Sequence, residues 1–264
     1  MKERHPLHKT DFFLYLLLIL LLLTLPLRAN YILYDVVRMV SETKESGKLP
    51  VVIFDLDGTL FHSGPRSKQI FSEFAQEQGD TILERKVKEM DAIAMKYKVR
   101  ESLIDAGIED SVLQKKIIDS WRAKFFNGEY LKYDEPISGG VEFVSELYDS
   151  GALIIYLTGR DAPCMLTGTV SALQKNGFPI GIQQTELIMK PKRYAKTFNF
   201  KKKVLKYLKK LGVVIAVFEN EPANINLLYE TFPDAIAIFI ETNHKPNAPP
   251  VNEGIEHIKN YNSE

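Results

Sequence analysis

The chain has 264 residues, 45% of them hydrophobic and 26% charged, which is enough apolar material for one sizeable core and a smaller inserted unit. Lys plus Arg equals Asp plus Glu at 34 each, so the charge balance names no polyanionic partner. The single cysteine, Cys164, excludes an internal disulfide and a cysteine-based metal site.

The N-terminus differs from everything after it. A polar, mildly basic MKERHPLHKTD leads into FFLYLLLILLLLTLPL, Phe12 to Leu27, which is uncharged and apolar all round. Residues 1–30 therefore read as a cleaved export signal, with cleavage after Ala29, or as a retained membrane anchor. Leu27 is bulky for a cleavage site, and the run is shorter than the roughly 20 residues that span a bilayer. The two readings stay open; Tyr31 and Tyr34 would suit an interface beside an anchor. Either way the expected location is secreted, periplasmic or membrane-anchored.

A polar linker follows, Ser41 to Pro50. Four short apolar runs then read as strands buried on both faces: Val51–Phe54, Leu153–Leu157, Val213–Phe218 and Ala235–Ile240. Helix-period segments lie between them, at Val141–Tyr148, Leu166–Lys175 and Lys201–Leu211, with stops at Gly151, Gly177 and Gly212. This alternation predicts an α/β fold with a parallel sheet, whose ligand crevice lies at the carboxyl ends of the strands. Residues 63–133 break the rhythm. They read as helices (RSKQIFSEFAQEQG, TILERKVKEMDAIAMKYK and SVLQKKIIDSWRAKFF) inserted after the first strand, and Asp134–Gly140, DEPISGG, reads as the return hinge.

Four motifs fall at predicted strand ends. In VVIFDLDGTL, Asp55 and Asp57 sit together where a greasy strand stops. Like charges this close raise one another's pKa, and a divalent cation would relieve them. An EF-hand loop also opens Asp-x-Asp, but Leu60 stands where its glycine is needed and Gln69 stands outside its ligand pattern. In LIIYLTGR, the Thr158 hydroxyl and the Gly159 N–H are a candidate pair of donors for a phosphoryl oxygen. From Lys190 to Lys210 there are ten Lys or Arg and no acid. Most of these belong on a solvated helix face, and no aromatic pattern supports nucleic-acid binding. Lys201, or its rival Lys190, is placed to send an ammonium into the crevice. In VVIAVFENEPANI a fourth strand ends in Glu219, Asn220 and Glu221, oxygen-bearing side chains at the same edge, just before a helix that opens on Pro222.

These four pieces in this order resemble the haloacid dehalogenase superfamily of phosphohydrolases, over Pro50 to about Ile240. The resemblance implies a three-layer, Rossmann-like parallel sheet formed by residues 50–62 and 134–264, with a helical cap at 63–133. It implies that Asp55 is the nucleophile of an aspartyl-phosphate intermediate. Asp57 would be the general acid and then the base for water. Thr158 and Gly159 would bind the transferring phosphoryl group, and Lys201 would offset its charge. Mg²⁺ would be held by Asp55, the Asp57 carbonyl, Glu219 and Asn220. An acid at position 57 matches the phosphatase branch. The departure is Glu219-Asn220-Glu221, where the family usually carries Asp-Asp, Glu-Asp or Gly-Asp-x-x-x-Asp. The expected function is a Mg²⁺-dependent phosphomonoesterase acting on a small phosphorylated substrate. The alternatives are a catalytically weakened binding protein on the same fold, or a phosphotransferase to an acceptor other than water. No nucleic-acid partner is expected, and membrane contact would run through the N-terminal segment if it is retained. The aromatic residues Trp121, Phe125, Phe126 and Tyr130 read as cap core.

Overall fold

Strand β1, Pro50–Phe54, is buried at every position and sends its side chains alternately to two apolar layers. Val52 and Phe54 face one layer; Val51 and Ile53 face the other. The structure is a computed structural model and describes residues 31–262. The apolar run Phe12–Leu27 therefore lies outside the described residues. Among the described residues no helix is long and apolar enough to cross a membrane.

Six parallel strands form the central sheet: β1, β4 (Leu153–Asp161), β5 (Thr185–Lys190), β6 (Val213–Glu219), β7 (Ile236–Ile240) and β8 (Glu256–Ile258). Their spatial order is β5-β4-β1-β6-β7-β8, with β1 at the centre between β4 and β6. One face is covered by helix α1 (31–45), α6 (Gly140–Asp149) and α7 (Ala162–Lys175), and the other by α8 (Thr197–Leu208) and α9 (Pro222–Thr231). This is the three-layer α/β architecture expected. Phe54 stacks on Phe218 of the neighbouring strand, with ring centroids 4.5 Å apart, directly beneath the carboxyl edge where the site lies.

Three stretches depart from the expectation. Residues 41–45 are not linker but the end of α1, which buries Leu33, Val36 and Val40 against the sheet. Tyr31 and Tyr34 face solvent on the other side of that helix. The strands β5 and β8 at the sheet's edges lack the long apolar runs of the central four. The single helix expected over residues 81–98 stops at Glu89: Met90 is extended, and the Asp91 carboxylate turns back to accept from the N–H groups of Ile93 and Ala94.

The inserted segment comprises α2 (Gly64–Gln78), α3 (Thr81–Glu89), α4 (Val99–Asp105) and α5 (Ser111–Phe125) around an apolar cluster of their own. Asp80 and Asp110 cap α3 and α5 by accepting backbone N–H bonds from the first turn. Trp121 packs on Phe125 at 4.4 Å and the Tyr130 hydroxyl donates to Glu73, so these aromatic residues serve the helical unit itself. The chain leaves and re-enters the core through a two-stranded antiparallel ribbon, β2 (Phe61–His62) with β3 (Glu135–Pro136). The return falls on the expected hinge sequence.

Candidate active site

The site begins at the tight turn after β1. The N–H groups of Thr59, Leu60 and Phe61 all bond to the Leu56 carbonyl, so the chain folds back within a few residues. Gly58 makes this possible. Its φ is +81°, and a Cβ there would lie 2.1 Å from the Asn220 side-chain nitrogen. The turn holds Asp55 and Asp57 at the carboxyl edge of the central strand, where the ends of β4 and β6 stand on either side.

Asp55 meets Lys201. The ammonium donates to Asp55 Oδ1 at 2.6 Å and to Glu219 Oε2 at 2.5 Å. Lys201 lies one turn inside α8, on its buried face, rather than at the helix start. All three side chains are almost inaccessible to solvent. Burial, and then the Glu219 charge, push the Asp55 carboxyl up to about 7, with Lys201 opposing the rise. Burial works against the Lys201 charge too, but Asp55 and Glu219 outweigh it and hold its pKa above the ordinary lysine value. The asymmetry is one of stoichiometry: one ammonium has two carboxylates, while two carboxylates share one ammonium. Lys190 is elsewhere, its ammonium bonded to the carbonyls of Arg193 and Ala195. Lys201 is thus the lysine of the site.

Asp57 has a different environment. Arg160 donates from Nε to Asp57 Oδ2 and from Nη2 to Oδ1, both at 2.9 Å, and Arg66 Nη2 adds a bond of 2.6 Å to Oδ1. The same two arginines hold Asp134, Arg66 at 2.7 Å and Arg160 at 2.8 Å. Two guanidinium groups and two carboxylates make a charge-balanced quartet, buried except at Asp57, whose side chain keeps 35% of its surface exposed. Burial alone would raise the Asp57 carboxyl; the Arg160 and Arg66 charges reverse this and hold it well below the usual carboxylate range. Asp57 is therefore a carboxylate in this arrangement, with no proton to give, and the charges that hold it ionised also weaken it as a base. Arg66, Asp134 and Arg160 had escaped the sequence reading. Arg160 directly follows the Thr158-Gly159 pair, which is the one local signal; Arg66 and Asp134 are joined across 68 residues and carry none.

The remaining expected residues divide. Gly159 lines the crevice, and the start of α8 comes so close that a Cβ on Gly159 would lie 2.9 Å from Thr197 Cγ2. The Thr158 hydroxyl is fully buried and accepts from the Arg160 N–H at 3.2 Å. Asn220 is engaged at both ends of its amide. Its oxygen accepts from the Thr59 hydroxyl at 3.4 Å and its nitrogen donates to the Asn243 carbonyl at 2.9 Å. This gives Asn220 to the turn and the neighbouring loop. Glu221 faces the crevice, where its carboxylate accepts from the Lys245 backbone N–H.

Among the described residues no group of three or more His, Cys, Asp or Glu is placed to hold a metal ion. Asp55 and Glu219 remain as two crowded carboxylates that share the Lys201 ammonium. That donor set fits Mg²⁺, which takes one or two carboxylates and completes its shell with water and phosphate oxygens. The crevice above them opens into a cavity of about 780 Å³.

The fold has counterparts among solved structures. A Clostridium difficile protein described as a phosphatase superposes with a TM-score of 0.52 at 14% identity, over 80% of this chain and 94% of the other. The α/β fold is shared. Protein tyrosine kinase A of Mycobacterium tuberculosis superposes with a TM-score of 0.51 at 17% identity, over 80% and 93% of the two chains. A haloacid dehalogenase superfamily hydrolase of subfamily IA from Geobacter sulfurreducens gives 0.46 at 12% identity, over 81% and 93%. No family model matches the sequence, and no curated protein matches it either. Within this fold β1 leads into the two acids, α8 carries Lys201 and β6 ends in Glu219, with the helical unit inserted after β1.

Proposed function

We propose that this protein is a Mg²⁺-dependent phosphomonoesterase that works through an aspartyl-phosphate on Asp55. The observation behind the reading is the Asp55–Lys201–Glu219 cluster, set at the carboxyl end of the central strand on the floor of an open cavity. An Asp55 oxygen attacks phosphorus, the ester P–O bond breaks, and the leaving oxygen departs with a proton. Water then attacks the acyl phosphate, Asp57 takes its proton, and the Asp55–phosphorus bond breaks to release inorganic phosphate. As it stands Asp57 is a weak base for that proton, because Arg66 and Arg160 stabilise its ionised form, so both proton transfers need that hold relaxed. Its role as proton donor in the first step requires one guanidinium to withdraw, and Arg66, on the first helix of the inserted unit, is the one that moves with the cap.

Lys201 keeps the nucleophile oriented and offsets the charge that gathers on the phosphoryl oxygens. Gly159 supplies a backbone N–H at the strand end, with Thr158 behind it. Mg²⁺, held by Asp55 and Glu219 and by the Asp57 carbonyl that the family resemblance adds, would neutralise phosphoryl oxygens. The apolar run before residue 31 supports an exported or membrane-anchored location.

The test is phosphate release from a generic aryl phosphate by the full chain with Mg²⁺, and its loss in Asp55→Asn. Activity unchanged by that substitution overturns the reading. Phosphoryl transfer to a hydroxyl other than water is a second reading, supported by the tyrosine kinase among the chains of similar fold. Added alcohols or tyrosine peptides that appear phosphorylated among the products would favour it.

A further inference from the structure

The floor of the crevice accounts for phosphate chemistry, but a cavity of about 780 Å³ has room for much more than a phosphoryl group. Its walls are distinctive. Phe198 precedes Lys201 by three residues on α8 and therefore shares its face, one turn nearer the mouth. Its ring is 40% exposed. Opposite stands Tyr97, 50% exposed, from the segment 90–98 that replaces the expected helix. That segment is fastened twice just before Tyr97. Met95 is buried in the helical unit while its carbonyl accepts from Asn243 Nδ2 of the core at 2.5 Å, and the Lys96 side chain pairs with Asp105 at 2.6 Å. Tyr97 is left directed over the cavity, close enough to Glu221 for that charge to add to burial in raising the phenol's pKa.

Charge at the mouth differs from charge on the floor. Lys196, the residue before α8, and Lys245, after β7, line the cavity and are exposed. Among the described residues neither ammonium has a hydrogen bond or ion pair assigned to it. The acid on that wall, Glu221, is occupied by the Lys245 backbone N–H at 3.2 and 3.3 Å. On the floor the cations are already committed, Lys201 to two carboxylates and Arg66 and Arg160 to Asp57 and Asp134.

Resting on the phosphomonoesterase reading, we infer that the substrate's leaving group is a flat ring system carrying a second negative group, the ring packed on Tyr97 and Phe198 and the second anion at Lys196 and Lys245. Nucleotides with a second phosphate have this chemistry; simple sugar and polyol phosphates do not. The aromatic pair supplies stacking that tolerates any planar ring, and the two ammonium groups act as point charges for an anion at the rim.

Four probes separate the features: glycerol 2-phosphate, fructose 1,6-bisphosphate, a nucleoside 5′-monophosphate and a nucleoside 3′,5′-bisphosphate. With the full chain and Mg²⁺, kcat/KM should be highest for the nucleoside bisphosphate, by tenfold or more over glycerol 2-phosphate. The Lys196→Met, Lys245→Met double variant should bring the ratio of bisphosphate to monophosphate close to one. Tyr97→Ser should raise KM for the nucleoside esters more than for the fructose ester. Equal rates on the fructose and nucleoside bisphosphates, or ratios untouched by these substitutions, overturn the inference. If no probe is hydrolysed, the reaction proposed above falls, and calorimetric binding of the same four probes to Asp55→Asn decides this inference separately. Tightest binding of the nucleoside bisphosphate supports it; indifferent or absent binding overturns it.

Discussion

Arg160 grips Asp57 with two parallel N–H···O bonds, each 2.9 Å long, and the same guanidinium reaches Asp134 at 2.8 Å. Such a fork fixes the plane of the carboxylate as well as its charge. Arg66 closes the figure from the inserted unit, so the orientation of one acid in the site is shared between core and cap.

That sharing makes Arg160 a strong stability determinant. Arg160→Met leaves the buried Asp134 and the half-buried Asp57 with one guanidinium, and removing one partner of a buried pair costs about 3–5 kcal/mol. Urea denaturation should show a loss of that order. Arg160→Lys keeps the charge without the fork, and should recover only part of it.

Lys201 and Lys190 should separate cleanly. Lys201→Met removes the ammonium bonded to Asp55, the proposed nucleophile, and phosphate release should fall by about 10²-fold or more, as for other lost transition-state donors. Lys190 is bonded to two loop carbonyls, and Lys190→Met should leave kcat within a few-fold of the parent. Comparable losses in the two variants would show that the ammonium beside Asp55 has no special part.

The raised Asp55 pKa has a signed consequence for stability. The carboxyl stands at about 7 in the folded chain, against about 3.9 unfolded. The folded state binds that proton more tightly, so no stability is lost below about pH 4, and the cost grows as pH rises from about 4 to about 7. Asp55→Asn removes it. In EDTA the variant should melt at a higher temperature than the parent at pH 8, with the difference shrinking towards pH 4. A difference independent of pH would count against this origin.

Glu219 and Asn220 are expected to behave differently although they are adjacent. Glu219→Gln takes one of two carboxylates from the cation site, and the Mg²⁺ concentration giving half-maximal activity should rise about tenfold. Asn220→Ala cuts the bonds to Thr59 and Asn243, and should lower Tm with a smaller change in Mg²⁺ requirement. Chelation with EDTA should abolish activity in the parent and Mg²⁺ should restore it.

Helix α1 sets the minimal folded unit. A chain beginning at residue 31 keeps Leu33, Val36 and Val40 in the core, whereas one beginning at residue 46 loses all three. Each fully buried side chain of this size contributes roughly 1.5–3 kcal/mol. The first truncation should fold with a cooperative thermal transition and the second should not.

The central sheet was legible because β1 and β7, and β4 and β6 up to their polar carboxyl ends, are buried on both faces and so carry continuous apolar runs. β5 was not, since all but the last of its residues are half-buried at the sheet's edge. Helix α1 followed a long apolar run, and its Leu33, Val36 and Val40 spacing was overshadowed by the membrane reading of Tyr31 and Tyr34. In the site, Asp55, Asp57, Gly159, Lys201 and Glu219 were found because each ends a strand or lies on a helix beside one. Arg66 and Asp134 were hidden for the opposite reason: their meaning lies in a pairing across the inserted unit that no local pattern records.

Asn220 bears on the chain's history as well as its chemistry. The related motif usually has an acid at this place, but here the side chain must donate to the Asn243 carbonyl, and a carboxylate cannot. Asn220→Asp would therefore set a negative charge against a carbonyl oxygen 2.9 Å away. Return to the common motif is closed to a single substitution. It would need residue 243 and its loop to change first, and that loop also carries the hydrogen bond that fastens Met95 and, through it, the placement of Tyr97. Residue 243 thus couples the end of β6 to the segment that carries Tyr97, and a substitution at Asn220 should be felt at both.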